Sequence, residues 1–547
     1  MNKLLLILPV LLFNLEIKSQ LNVEWVKTYN GQYNYQDIAY AMTVDRFGNV
    51  FVAGASFGPG GSDDIHYDIV TVKYDANGNQ QWDRRYGVQL FDRGVDLVTD
   101  DNGNVYVTGE SWSDTNIRYS IVSIKYKPDG TREWVDRYYE EPGYGGAPCD
   151  VDYYNGNIFV CGYYFADSLS RIVTIKYNQT GVRQFVLNYD RGTNYYNQSN
   201  SMFIDDSGYI YVTGKSWKFI SDPRAFVDFI TLKYNSEGQL QWSALFNGLG
   251  DSDDVAHSVI TDLNGNVYVA GNSYTAGTEW DLTLVKYNSA GVRQWVKTYP
   301  GNTSRWDLPV KVLLDTQLNP YLIGTTRQGN YHDIIIIKYN PDGMMQWWRK
   351  YDGPISSQDY MVDATIDSNK IYVTGISWSS SLFDTFVILK YNSSGKLEWI
   401  YRNINQMNLV HFDPASIFIA NSNVYLTGTD DENWGDYVTF KFTQPIGIQS
   451  ISTDIPDKCT LSQNYPNPFN PVTKIKFQVP AGAQYIEPVQ LIIYDILGNE
   501  IQTLINKNLQ PGTYEVTFDG KNLSSGIYFY KLEVEDFNEV KKMVLLK

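Results

Sequence analysis

The sequence predicts an all-β chain: an eight-bladed β-propeller closed by its N-terminal strand, followed by a small Ig-like β-sandwich. Three observations carry that prediction. A unit of about 50 residues recurs through most of the chain, as propeller blades do. Each copy holds four short strand-like runs separated by turn residues. A fourth-strand sequence stands at the N-terminus, where the last copy lacks one.

The repeat is clearest at Asp262-Leu263-Asn264-Gly265-Asn266-Val267-Tyr268-Val269-Ala270-Gly271. It runs on through Leu282-Thr283-Leu284-Val285-Lys286-Tyr287 to Trp295-Val296-Lys297-Thr298-Tyr299. Its Lys recurs as Lys73, Lys125, Lys176, Lys233, Lys286, Lys338, Lys390 and Lys441, each followed by Tyr or Phe. A second-strand glycine recurs as Gly54, Gly109, Gly162, Gly214, Gly271, Gly324, Gly375 and Gly428. Apolar, β-branched and aromatic runs near 255–261, 266–273, 281–287 and 293–299 predict four strands in the fifth unit. Asn102-Gly103, Asn264-Gly265 and Asp129-Gly130 predict hairpin turns, since these residues tolerate positive φ.

Nine residues after each of the first seven Lys stands an aromatic: Trp82, Trp134, Phe185, Trp242, Trp295, Trp347 and Trp399. Lys441-Phe442 has none. Trp25-Val26-Lys27-Thr28-Tyr29 repeats residues 295–299 residue for residue, so the N-terminal strand is expected to complete the last blade. The Gly-Asn-Val-Tyr-Val-Thr-Gly and Lys-Tyr-x-x-x-Gly-x-x-x-Trp runs resemble the bacterial β-propeller repeat family, across roughly residues 21–443. That family is often called seven-bladed, and the count here is eight.

Turn lengths at one end of the unit are nearly constant, whereas the step from second-strand Gly to Lys varies most. That step holds the loop between strands two and three, which emerges beside the link to the next blade. Variation therefore gathers on one face, as loops carrying function do. Trp112, Trp217 and Trp378 each follow a Ser just after the second strand, with Phe57 and Tyr274 at the same place in other blades. Trp280, Trp306 and Trp434 lie in neighbouring loops. Trp112, Trp217, Tyr274 and Trp378 form the candidate binding site, a stacking platform for sugar rings. The competing reading packs each ring against the adjacent blade. The fourth-strand Trp is read as docking between blades.

Catalytic and metal motifs are not recognised. Eight blades with Gly-x-x-x-Trp resemble quinoprotein dehydrogenases in architecture, but no Cys-Cys pair follows, and the likeness to a sialidase Asp-box is poor. His66, His257, His332 and His411 are scattered, without metalloprotease spacing. Asp100-Asp101-Asn102-Gly103-Asn104 lacks a full calcium loop and reads as a turn. No catalytic residue, metal or cofactor is assigned. Cys149 and Cys161, symmetric about the turn at Asn155, either bond across a hairpin or pack as thiols.

A formal charge of -17 makes nucleic acid a poor partner. Met-Asn-Lys, the apolar run Leu4–Leu12 and Ser19 read as a signal peptide over 1–19, cleaved before Gln20. No later run is long enough for a transmembrane helix. The propeller is expected over 20–443, a linker over 444–458 and a β domain over 459–547, in a monomer.

The last domain carries Tyr465-Pro466-Asn467-Pro468-Phe469-Asn470-Pro471, Tyr494-Asp495-Ile496-Leu497-Gly498 and Ser525-Gly526-Ile527-Tyr528. These resemble the type A C-terminal sorting domain of type IX secretion cargo. The resemblance implies recognition by that secretion machinery and delivery to the outer-membrane surface of a Gram-negative bacterium or to the medium. The expected role is a surface binding or adhesion protein for glycan or protein. The alternative is a polysaccharide-acting enzyme with its site in the propeller channel.

Overall fold

The computed structural model describes residues 21–547 apart from 59–65, 88–90, 114–117, 141–142, 167–168, 193, 219–225, 249–251, 304–307, 309, 329–330, 379–383, 404–411, 431–434, 445–448, 453–455, 481–488, 508, 510, 521–522 and 535–536. The expected signal peptide, Trp306 and Trp434 lie outside the described residues. Two compact units emerge, 23–442 and 443–547.

The first unit is built of eight four-stranded antiparallel sheets. Sheet one runs Asp37–Val44, Val50–Phe57, Tyr67–Tyr74 and Gln80–Tyr86. Sheets two to seven span 92–138, 143–189, 195–246, 254–303, 311–351 and 359–402. Sheet eight combines three strands in 412–443 with Asn22–Tyr29 as its outer strand.

This corrects the expected fold class. The sheets resemble propeller blades, but none is closed into a barrel or curled, unlike the closed propeller expected from the repeat. The reason is where backbone pairing stops. Each sheet ends in its own fourth strand, and among the described residues no ladder joins one sheet to the next. Succession is carried by side chains instead. The second unit likewise consists of two open four-stranded sheets, one including Val472–Val479 and Gly512–Asp519, the other Val489–Tyr494 and Gly526–Val534. They share a core that includes Ile475, Phe477, Leu491, Ile493, Val516, Tyr530 and Leu532.

Apolar packing joins successive sheets. One buried cluster unites Ala53 and Ile69 of sheet one with Val107 and Val122 of sheet two, and another unites Ile323 and Ile334 of sheet six with Val373 and Val387 of sheet seven. The residue after the repeated Lys supplies a large buried ring at each step, Tyr in seven copies, among them Tyr74, Tyr126, Tyr177 and Tyr287, and Phe442 in the last.

The repeated Lys and Trp form a second joint. In sheet five Tyr268, Lys286 and Trp295 face one another across three strands. The Lys286 ammonium lies 5.1 Å from the Tyr268 ring centre. It donates to the Pro341 carbonyl of sheet six at 2.8 Å, and Trp295 Nε1 donates to the same oxygen at 3.2 Å. Lys73 and Trp82 share Pro128 O, Lys125 and Trp134 share Gln179 O, Lys233 and Trp242 share Ser289 O, and Lys338 and Trp347 share Ser393 O. Lys441 and Trp25 share Ala76 O of sheet one. The acceptor sits in the turn between strands three and four of the receiving sheet. Sheet eight has no such turn, because its fourth strand comes from the N-terminus. Lys390 pairs with Glu398 instead, and Phe386, Tyr401, Phe412, Phe440 and Phe442 meet edge-on or tilted at that junction.

The receiving turn ends in a glycine lying on the donor Trp. Gly291 has φ +80°, and a Cβ there would stand 2.6 Å from the Trp242 ring. Cys149 and Cys161 form a disulfide between the first two strands of sheet three.

Gly291→Ala should lower stability by about 2 kcal/mol, from left-handed backbone strain and ring displacement. Trp242→Phe, which keeps an aromatic ring but removes the indole N–H and the five-membered ring that lies under Gly291, should cost about 1–2 kcal/mol. Urea unfolding midpoints check both, and unchanged midpoints contradict the joint.

Candidate functional site

The structure brings the sequence-selected aromatics to equivalent ends of their second strands. Trp112 lies opposite Tyr119 with ring centres 5.2 Å apart, nearly parallel. Trp217 stacks on Tyr196 at 4.9 Å and 13°. Tyr274 meets Trp280 edge-on at 5.5 Å, and Phe57 meets Tyr67 at 5.8 Å. Trp378 stands opposite Asp384. Trp112, Trp217, Tyr274 and Trp378 are all half-buried. The rings therefore pack within or beside their own sheets and still reach solvent.

Main-chain bonds fix their height. The N–H of Phe57, Trp112, Tyr274 and Trp378 donates to the carbonyl just before the first strand of the same sheet: Gln36, Phe91, Asp253 and Gln358. Beneath each ring a buried Ser faces a buried Asp or Asn. The pairs are Ser56 with Asp37, Ser111 with Asp92, Ser216 with Asn197, Ser273 with Asp254 and Ser377 with Asp359. The acids also receive the linking loop: Gly31, Gly248 and Gly353 N–H donate to Asp37, Asp254 and Asp359 at 2.6, 2.6 and 2.7 Å. Burial lifts Asp254 and Asp359 from 3.8 to about 6. Arg85 ties the row in sheet one together, donating to Asp68 at 2.8 Å and to Ser56 Oγ at 2.7 Å.

A second constellation escaped the sequence reading. Seven first strands carry a register shift, for instance between Gly94 and Asp96, Pro148 and Asp150, and Met361 and Asp363. The residue just past it, with Lys311 at the matching place in sheet six, forms one layer along the innermost strands. In it Asp96, Asp150, Lys311 and Asp363 gather. Lys311 Nζ lies 2.9 Å from Asp363 Oδ1 and feels Asp150 and Asp96 from more distant sheets. Burial raises the Asp96 carboxyl, and burial followed by the Asp96 charge raises Asp150 well above the usual carboxylate range. The layer lies 12 or 13 residues before the second-strand Gly, a spacing that aligned repeats expose.

The chemistry of that layer is cohesion. Val151 N–H donates to Asp96 at 3.0 Å, Met202 N–H to Asp150 at 3.0 Å and Ile417 N–H to Asp363 at 3.2 Å. Each acceptor thus holds the first strand of the next sheet. Asp333, Asp352 and Asp359 also approach closely enough to hold a cation, but Lys350 stands 2.9 Å from Asp333 and 3.4 Å from Asp352 and supplies the positive charge. The Asp100 carboxylate accepts from the N–H groups of Asn102 and Asn104, Asn104 Nδ2 and Tyr106 O–H, binding its own turn.

Two family models match. One is the secretion system C-terminal sorting domain, over residues 463–546; the other is the beta-propeller repeat, over 25–59, 81–117 and 241–276. The chain thus combines propeller repeats with a sorting domain, and is secreted to the cell surface of a Gram-negative bacterium of the Bacteroidetes type. A WD repeat-containing protein of Acanthamoeba polyphaga mimivirus is 22% identical, over 62% of this chain and 28% of that protein. The chain therefore spans well under half of that relative's length. Similar solved structures include the polysaccharide lyase Uly1 (TM-score 0.39, 10% identity, 64% of this chain, 89% of that one) and Pyrococcus horikoshii acylaminoacyl peptidase (0.38, 9%, 73%, 59%). Neither likeness bears on activity.

The folded chain holds the Asp359 proton more tightly than the unfolded chain. That group therefore favours folding at and below its unfolded pKa of 3.8, and the contribution is lost as pH rises through about 6. Relative to Asp359→Asn, the native chain should lose about 2 kcal/mol of stability on going from about pH 4 to about pH 7.5. Urea unfolding of both proteins at each pH reads this, and a pH-independent difference contradicts it.

Proposed function

We propose that the propeller-repeat unit is a non-enzymatic binding module whose loop face presents Trp112, Trp217, Tyr274 and Trp378 to an extracellular glycan. On this reading the signal peptide ends at Ser19, and the sorting domain delivers the module to the cell surface. The supporting observation is one ring recurring at one height in several sheets. Each is half-exposed, and at Trp112, Tyr274 and Trp378 an identical main-chain bond holds it over a buried polar pair. Flat rings held this way lose little freedom on binding, and their faces suit the apolar sides of sugar rings.

The enzyme alternative would need acid and base groups free to meet a substrate. The acids that converge on the inner layer instead accept main-chain N–H bonds from the neighbouring sheet. That commitment favours binding over catalysis.

Glycan arrays followed by calorimetry on the secreted chain test the proposal. Trp112→Ala, Trp217→Ala and Trp378→Ala should each weaken the best polysaccharide hit by roughly tenfold, about 1.4 kcal/mol, with melting temperature nearly unchanged. Equal affinity in all three variants, or no hit across neutral and acidic polysaccharides, contradicts it.

A further inference from the structure

The sorting domain carries an apolar tip that its own core does not use. Val489–Tyr494 and Glu500–Lys507 are joined by Asp495-Ile496-Leu497-Gly498-Asn499. Asp495 Oδ1 accepts the N–H groups of Leu497 and Asn499 at 2.8 and 2.9 Å, its Oδ2 accepts Asn499 Nδ2, and Gly498 takes φ +83°. The backbone is well specified. At its apex Ile496 is 68% exposed and Leu497 81%.

The turn itself does not demand these residues. The same frame recurs in the propeller-repeat unit, where Asp100 accepts from the N–H groups of Asn102 and Asn104 and Gly103 takes φ +77°. There the two apical residues are Asp101 and Asn102. Single exposed apolar side chains are ordinary, but two at one apex, followed by exposed Ile501, make a patch. The strand that follows, Glu500–Lys507, is an outer strand of its sheet, and residues 500–503 are exposed. An open edge beside an apolar knob offers a partner main-chain pairing and a side-chain anchor together.

We propose that Ile496 and Leu497, with the adjoining strand edge, form the docking surface by which the secretion machinery takes hold of this chain, the knob entering an apolar groove on a protein of that machinery. The domain is a sorting domain over 463–546, so a protein of the export apparatus must recognise some part of its surface. Tyr465 is as exposed as Leu497, but among the domain's described residues only this tip sets two exposed aliphatic side chains side by side on a turn that does not require them. The inference is independent of the glycan reading.

The test transplants the chain's own polar turn. Ile496→Asp with Leu497→Asn recreates the sequence of residues 100–104 on the same frame, which preserves the fold by design. The full chain is expressed in a Bacteroidetes-type host with an intact secretion system, and its surface-plus-medium and periplasmic fractions are quantified. Surface delivery should fall at least tenfold, with soluble periplasmic accumulation and an unchanged melting temperature. Leu497→Asn alone should lower delivery in the same direction. Val540→Asn, which changes an exposed apolar residue elsewhere on the domain, should export normally. Normal export of the double variant overturns the proposal. So does an equal defect in Val540→Asn, or a concentration-dependent dimer of the native chain that the double variant dissolves without losing export.

Discussion

The arrangement of the first unit depends on one shared acceptor. A lysine ammonium and an indole N–H from one sheet converge on a single carbonyl in a turn of the next, at Pro128, Gln179, Ser289, Pro341, Ser393 and Ala76. The ammonium makes the contact even without an indole: Lys176, whose fourth-strand aromatic is Phe185, donates to the Ser236 carbonyl at 3.1 Å. The ammonium is costly to desolvate, and burial lowers the pKa of Lys73, Lys233 and Lys286. An aromatic face and a fixed carbonyl offset that cost, the first through the ring quadrupole and the second through a charge-assisted hydrogen bond. The constraint fits the nine-residue step from Lys to the fourth-strand aromatic in sheets one to seven, and it explains why a glycine closes the accepting turn.

A division of labour between the two ends of each sheet follows. The turn end is occupied with cohesion, so its lengths hardly vary. The opposite end needs only the buried Ser and Asp row to hold its loops, which frees the residues above that row to differ from sheet to sheet. Apolar clusters shared by neighbouring sheets and the acid layer on the innermost strands add further seams between the same two ends. Chemistry that resembles a site, such as Asp96 beside Asp150, turns out to hold strand to strand.

Much of this was legible in the residues. Strand bounds in the fifth unit followed from apolar runs, and the fourth-strand Trp was read as an inter-blade contact. The closed fold class was not legible, because periodicity reports how many similar sheets exist and not which strand edges pair. The inner acid layer stayed hidden because it depends on a register shift that no single residue announces. Turns of different length also move its spacing from 13 to 12 residues, as at Asp96 before Gly109 and Asp150 before Gly162. The Ser and Asp row was missed for a related reason: its partners lie on separate strands, and only register joins Ser377 to Asp359. For Cys149 and Cys161 the symmetry about Asn155 left bonding and packing equally open, and the structure bonds them.

The central claim is that one end of every sheet serves cohesion and the other recognition. A crystal structure of the secreted chain with the oligosaccharide that binds best on an array tests it most directly. The account predicts sugar rings lying over Trp112, Trp217 or Trp378, with the Lys and Trp contacts to the turn carbonyls unchanged. Sugar bound at the turn end, or within the inner acid layer with Asp96 and Asp150 released from Val151 and Met202, would contradict it.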